Sequence, residues 1–63
     1  MPKEEFVNKY TDRLVKRLGI PRDMARTMGL CAWEWQRDKG TPEELADASA
    51  IRWIAAARDL VAL

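Results

Sequence analysis

Residues 24–35 read Met24-Ala25-Arg26-Thr27-Met28-Gly29-Leu30-Cys31-Ala32-Trp33-Glu34-Trp35, and this stretch decides the fold. It holds two of the three tryptophans, two of the three methionines and the only cysteine of a 63-residue chain. On a helical wheel it separates into two stripes. Met24, Met28, Cys31 and Trp35 form one, which reads as core. Arg26, Leu30, Trp33 and Arg37 form the other, spaced i, i+4, i+7, i+11. Gly29 is the pivot of this reading. A helix continuous through Gly29 becomes the central member of a small bundle, whereas a turn there breaks the wheel.

Outward from this segment, punctuation marks two more helices. Upstream, Pro2 suits a first helical position, and Glu4 and Glu5 favour the positive end of a helix dipole. Gly19 is the expected stop. Phe6, Val7, Tyr10, Leu14 and Leu18 share one face, and Glu5–Lys9 and Asp12–Lys16 are i,i+4 ion pairs in the favourable order. Ile20-Pro21 restarts the chain, and Gly40 ends the second segment. Downstream, Thr41-Pro42-Glu43-Glu44 has the form of a capping box, with Thr41 as N-cap and Glu44 as its reciprocal partner. The third helix carries a broad apolar arc of Leu45, Ala46, Ala50, Trp53, Ile54, Ala57, Leu60 and Val61. No stretch alternates with period two, so no strand is expected. Short connections favour antiparallel neighbours. The expected fold is all-α, one domain over 1–63: a compact three-helix up-down-up bundle with helices near 2–18, 21–39 and 42–62. Its expected core is Phe6, Tyr10, Leu14, Leu18, Met24, Met28, Cys31, Trp35, Leu45, Trp53, Ile54, Leu60 and Val61.

Composition narrows the functional classes. A domain of this size buries only roughly 60% of the surface its unfolded chain exposes. Cys31 is alone, so no intrachain disulfide can staple the fold, and its free thiol suits a reducing cytoplasm. Net charge is +1, from 11 Lys and Arg against 10 Asp and Glu. The distribution is uneven: Lys9–Arg26 carries six basic and two acidic groups, a pattern that a solvated helix face explains. No apolar run reaches the ~18 residues of a membrane span, and the N-terminus lacks the pattern of a signal peptide.

The chain has no histidine, which removes the commonest general base and the commonest zinc ligand. Cys31 falls in the apolar stripe, where a thiol is inert. Capping accounts for Glu43 and Glu44. The glycines form no phosphate-cradling loop. Neither an enzyme, a metal site nor a cofactor is expected.

Function must then lie in surfaces. Leu30 and Trp33 between Arg26 and Arg37 combine residue types enriched at binding hot spots. Trp33 reads equally as part of such a ridge or as a core side chain, and Arg37 as its cation–π partner. Arg13 and Lys16 are electrostatic helpers for a protein partner. On the third helix, Ala48, Ile51, Ala55 and Ala62 line the side away from the main arc and offer a homodimer contact.

Two resemblances extend these readings. In 21–39, Ala25 and Gly29 with apolar Met24, Met28, Leu30 and Trp35 resemble the helix-turn-helix of phage repressors, although Asp38 stands where that pattern has an apolar anchor. This resemblance implies a small DNA-binding regulator, with Arg37 and Lys39 on the duplex and Arg22 and Arg26 near its backbone. Near-neutral charge opposes that role. Phe6, Tyr10, Arg13 and Leu14, followed by Pro42, Glu43, Glu44, Ala46, Asp47 and Trp53, resemble small accessory proteins of phages and prophages. That likeness implies a protein of the bacterial host cytoplasm that binds another protein and modulates a host macromolecular complex. A structural, self-associating module is the third reading.

Overall fold

A computed structural model describes residues 1–62, with the side chains of 1–61. Three helices follow one another: α1 (Lys3–Leu18), α2 (Arg22–Gln36) and α3 (Pro42–Ala62). Among the described residues there is no strand. The expected all-α, three-helix architecture is therefore the one observed.

The punctuation works as local chemistry requires. Gly19 closes α1 in the left-handed conformation, with φ 66°, and its N–H donates to the Val15 carbonyl at 2.8 Å. A Cβ resists that backbone, which is why glycine stands there. At the start of α3 the Glu44 N–H donates to Thr41 Oγ1 at 3.2 Å, and the Thr41 N–H donates to Glu44 Oε1 at 3.4 Å. This is the reciprocal capping box. The second helix ends earlier than expected, at Gln36 and not at Lys39. There the Lys39 N–H donates to the Gln36 carbonyl, an i to i−3 bond that tightens the chain into a turn.

The central helix is α1, not α2. Both α2 and α3 pack on α1 and hardly touch each other. The large core side chains belong to α1: Phe6, Val7, Tyr10 and Leu14 are all buried. The faces set against them are made of small residues, Ala25, Gly29 and Ala32 on α2 and Ala46, Ser49 and Ala50 on α3. Large on one side and small on the other is how facing helices fill space without voids.

This arrangement corrects the expected core of the second helix. Met24, Cys31 and Trp35 are exposed, and Met28 is only partly buried. The buried seam of Ala25, Gly29 and Ala32 runs between the two stripes of the wheel. A Cβ on Gly29 would stand 3.3 Å from Thr11 Oγ1, Tyr10 Cδ1 and the Val7 carbonyl oxygen. The backbone of α2 therefore lies close against α1, and dispersion contacts along that line replace bulky side chains. The helix runs through Gly29 without a turn. The two-helix arrangement implied by the resemblance to phage repressors is not formed in this segment.

The third helix departs in a different way. Pro42, Ala46, Ser49 and Ala50 are buried, but every described side chain from Ile51 to Val61 is exposed. Trp53, Ile54, Leu60 and Val61, expected in the core, are thus on the surface. α3 has 21 residues against 16 in α1, and its burial against α1 stops at Ala50, so its second half stands clear of that helix. The molecule is accordingly long, 41 × 22 × 15 Å.

The close seam makes a prediction. Gly29→Leu and Ala25→Leu should each destabilise by about 1–3 kcal/mol or more through overpacking, measured as a fall in the urea midpoint. Gly29→Ala should fall within about 1 kcal/mol of wild type, because the helix-propensity gain offsets the tight contacts. Met24→Ala should change little. Equal losses at Met24 and Ala25 would contradict the seam.

Candidate functional site

The ridge of Arg26, Leu30, Trp33 and Arg37 is assembled on one side of α2, but most of it serves the fold. Trp33 is half-buried and packs edge-on against Phe6, with ring centroids 5.4 Å apart and planes at 64°. Arg37 lies over the indole, its guanidinium carbon 5.1 Å from the ring centroid. Arg26 reaches across to α1 and donates to Glu4 Oε1 and Asn8 Oδ1, both at 3.4 Å. Leu30 is exposed beside them. The ridge thus ties α2 to α1, and Trp33 is a lid on the core.

Arg13 and Lys16 part company. Arg13 grips Asp47 of α3 with two parallel bonds, Nε to Oδ1 at 2.8 Å and Nη2 to Oδ2 at 2.9 Å. Arg17 adds a third, Nε to Oδ1 at 3.0 Å. A bidentate guanidinium–carboxylate pair is the strong form of this interaction. The Arg13 hydrogen bonds hold the Asp47 carboxyl down at about 2, with smaller help from the charges of Arg13 and Arg17 against a partial loss of solvent. The Arg13 guanidinium is correspondingly raised. Lys16 is exposed. Its expected partner Asp12 pairs instead with Arg22 of α2 at 2.7 Å, while Glu5–Lys9 forms as expected at 3.3 Å. Nearby, Glu43 keeps Oε1 shielded from solvent without a hydrogen-bond partner.

Because α2 and α3 do not close on each other, a cleft of about 270 Å³ opens between them. Tyr10 of α1, Ser49 of α3 and Met28, Cys31, Ala32 and Trp35 of α2 line it. At its base the Tyr10 and Ser49 hydroxyls hydrogen-bond at 2.8 Å. Trp35 stands at the rim with 80% of its surface exposed, in line with Met24 and exposed Cys31. Asp23 and Glu34 lie along the outer edge of this face, and Asp38 follows in the turn. All three are exposed, and none forms an ion pair among the described residues. An apolar ridge beside a cleft with an acidic border is thus the most prominent surface of α2. It is the stripe that the wheel assigned to the core.

On α3, Ala48, Ile51 and Ala55 of the expected self-association face are exposed; the side chain of Ala62 lies outside those described. No helix among the described residues is long and apolar enough to cross a membrane. The chain matches no family model, no curated protein and no solved structure.

Two outcomes follow from these contacts. Asp47 has a folded pKa below the ordinary 3.8, so its contribution to stability is complete above that value and fades as pH falls toward about 2. Asp47→Asn should therefore lower the thermal midpoint near neutral pH, and the gap to wild type should close as pH drops through that window. A gap independent of pH would show that the pair contributes nothing through charge. Trp33→Ala should cost about 2 kcal/mol, below the ~3–5 kcal/mol of a fully buried tryptophan, by chemical denaturation.

Proposed function

We propose that the protein is a binding module, not an enzyme, which acts by protein–protein contact. Its partner presents an apolar helical segment flanked by lysine or arginine. The observation that carries this reading is Trp35, 80% exposed beside an open cleft and next to Met24 and Cys31. Side chains of this kind lose most by facing water and gain most by being covered. Tryptophan is the residue type that most often anchors a protein interface. The border of Asp23, Glu34 and Asp38 sets the charge of the partner, because complementary rims steer encounter and reject wrong ligands. An amphipathic helix laid along α2 would place its apolar side chains in the cleft and its basic ones over this border, the helix-in-groove mode of recognition.

The ridge of Arg26, Leu30, Trp33 and Arg37 is the second surface for such a contact, with Leu30 as its free apolar member and Arg13 and Lys16 farther along α1. It is less well suited, since Arg26 and Trp33 already have partners within the chain. The likeness to small phage and prophage proteins supports a partner within a host macromolecular complex, modulated by occlusion of one of its surfaces.

Calorimetric titration with two amphipathic helical peptides of one apolar face, one bearing lysines and the other glutamates, tests the reading. The basic peptide should bind and the acidic one should not. Trp35→Ala should weaken binding at least tenfold, about 1.4 kcal/mol, with helicity and thermal midpoint unchanged. Equal binding of both peptides, or none by either, would sink the proposal.

A further inference from the structure

The outer side of α3 carries a pattern of which α1 uses only Asp47, held by Arg13 and Arg17. Asp47, Ile51, Ile54 and Arg58 are spaced four, three and four residues apart, which places them on one seam of the helix at the heptad interval. The spacing is the same read from either end, with an acid at one end and a base at the other. Ile51 is 68% and Ile54 44% exposed. Alanines flank the seam, Ala48 and Ala55 on one edge and Ala50 and Ala57 on the other, with Glu43 and Val61 at the two ends of the second edge. Ala50 already touches the core, while the other three alanines are open. Arg52 and Asp59 lie together on a different face of the helix, away from the seam. A shallow concavity lined by Ile54, Ala57, Arg58 and Val61 marks its outer end.

We propose that this seam pairs with the same seam of a second copy of the chain, the two α3 helices running antiparallel. In that register Ile51 of each copy meets Ile54 of the other, and Arg58 of each copy reaches Asp47 of the other. A parallel pair would set Arg58 against Arg58, a repulsion that the antiparallel pair avoids, so charge favours the antiparallel orientation. The alanine edges let the two backbones approach closely, as the small face of α2 does on α1. Affinity comes from the isoleucines. The ion pair sets direction and register, because Asp47 is already shared by Arg13 and Arg17 and a half-exposed pair adds little energy. Glu43, one turn before Asp47, contributes a second carboxylate to the same end. The surface lies on α3 and is separate from the cleft beside Trp35, so either can fail without the other.

Sedimentation of the full chain over a range of concentrations tests this first. A reversible monomer–dimer equilibrium is expected. Ile54→Asp should raise the dissociation constant at least tenfold without loss of helicity, since Ile54 is not in the monomer core. Arg58→Asp should weaken pairing, and more so at low salt. Register is read by oxidation in a Cys31→Ser background. Mixed Ile51→Cys and Ile54→Cys chains should link to each other in preference to linking like with like. A monomer at several hundred micromolar overturns the proposal and leaves the face to a different protein. Preferential like-with-like crosslinking overturns it by showing a parallel pair.

Discussion

The structure depends on how closely the backbone of α2 can approach α1 at Gly29. With Thr11, Tyr10 and the Val7 carbonyl all 3.3 Å from where a Cβ would sit, a methyl group is tight there and a longer side chain would separate the helices. That contact fixes the rotation of α2 about its axis. It turns Ala25 and Ala32 inward, sets Trp33 over Phe6, and leaves Met24, Cys31 and Trp35 in solvent. The exposure of Trp35 is thus a consequence of Gly29. A helix that seated its bulkiest stripe inward would hide the surface on which the proposed function rests, and would force α1 and α2 apart.

Pro42 apart, the fully buried large residues come from one helix, and the other two add small residues with Met28, Trp33 and Leu45 packed at the edge. In a chain this short, that is an economical way to close-pack a core. Phe6, Val7, Tyr10 and Leu14 radiate from α1, and smooth faces of alanine, glycine and serine come down on two sides. Polar ties then fix register: Arg13 and Arg17 to Asp47 for α3, Arg22 to Asp12 and Arg26 to Glu4 for α2. Most of these pairs are exposed and individually weak. Their value lies in choosing one seating among several that smooth faces would otherwise allow.

Much of the fold was legible in the sequence because it is written in local chemistry. Gly19, Thr41 and Glu44 announce helix ends, and the α1 stripe names its own buried residues apart from Thr11, whose hydroxyl is satisfied by the Val7 carbonyl one turn back. The rotation of α2 was not legible, because a wheel weights Met, Cys and Trp above Ala and Gly. The deciding quantity, closeness of approach, belongs to the pair of helices and not to either sequence. The signal that could have found it is the spacing of Ala25, Gly29 and Ala32, small residues at i, i+4 and i+7. The α3 arc was read correctly through Ala50 and failed beyond it. Its pattern continues, but α1 stops covering it after Ala50, and no wheel of α3 shows where a neighbouring helix stands away. The candidate surfaces shifted for the same reason. Trp33 went to the core's edge, and Trp35 took the exposed place.

The near-absence of contact between α2 and α3 has a mechanical side. The two walls of the cleft are each fastened to α1 and not to each other, so α1 acts as a post with two leaves. At the base the Tyr10–Ser49 hydroxyl pair ties α3 to α1, and no described side-chain hydrogen bond crosses from α2 to α3. A single neutral hydrogen bond is worth about 1 kcal/mol net. It adds to the Arg13 and Arg17 grip on Asp47, so every described polar tie of α3 to its neighbours runs to α1. The width of the cleft is thus set by how each leaf seats on the post, and by no described side-chain bond between the leaves.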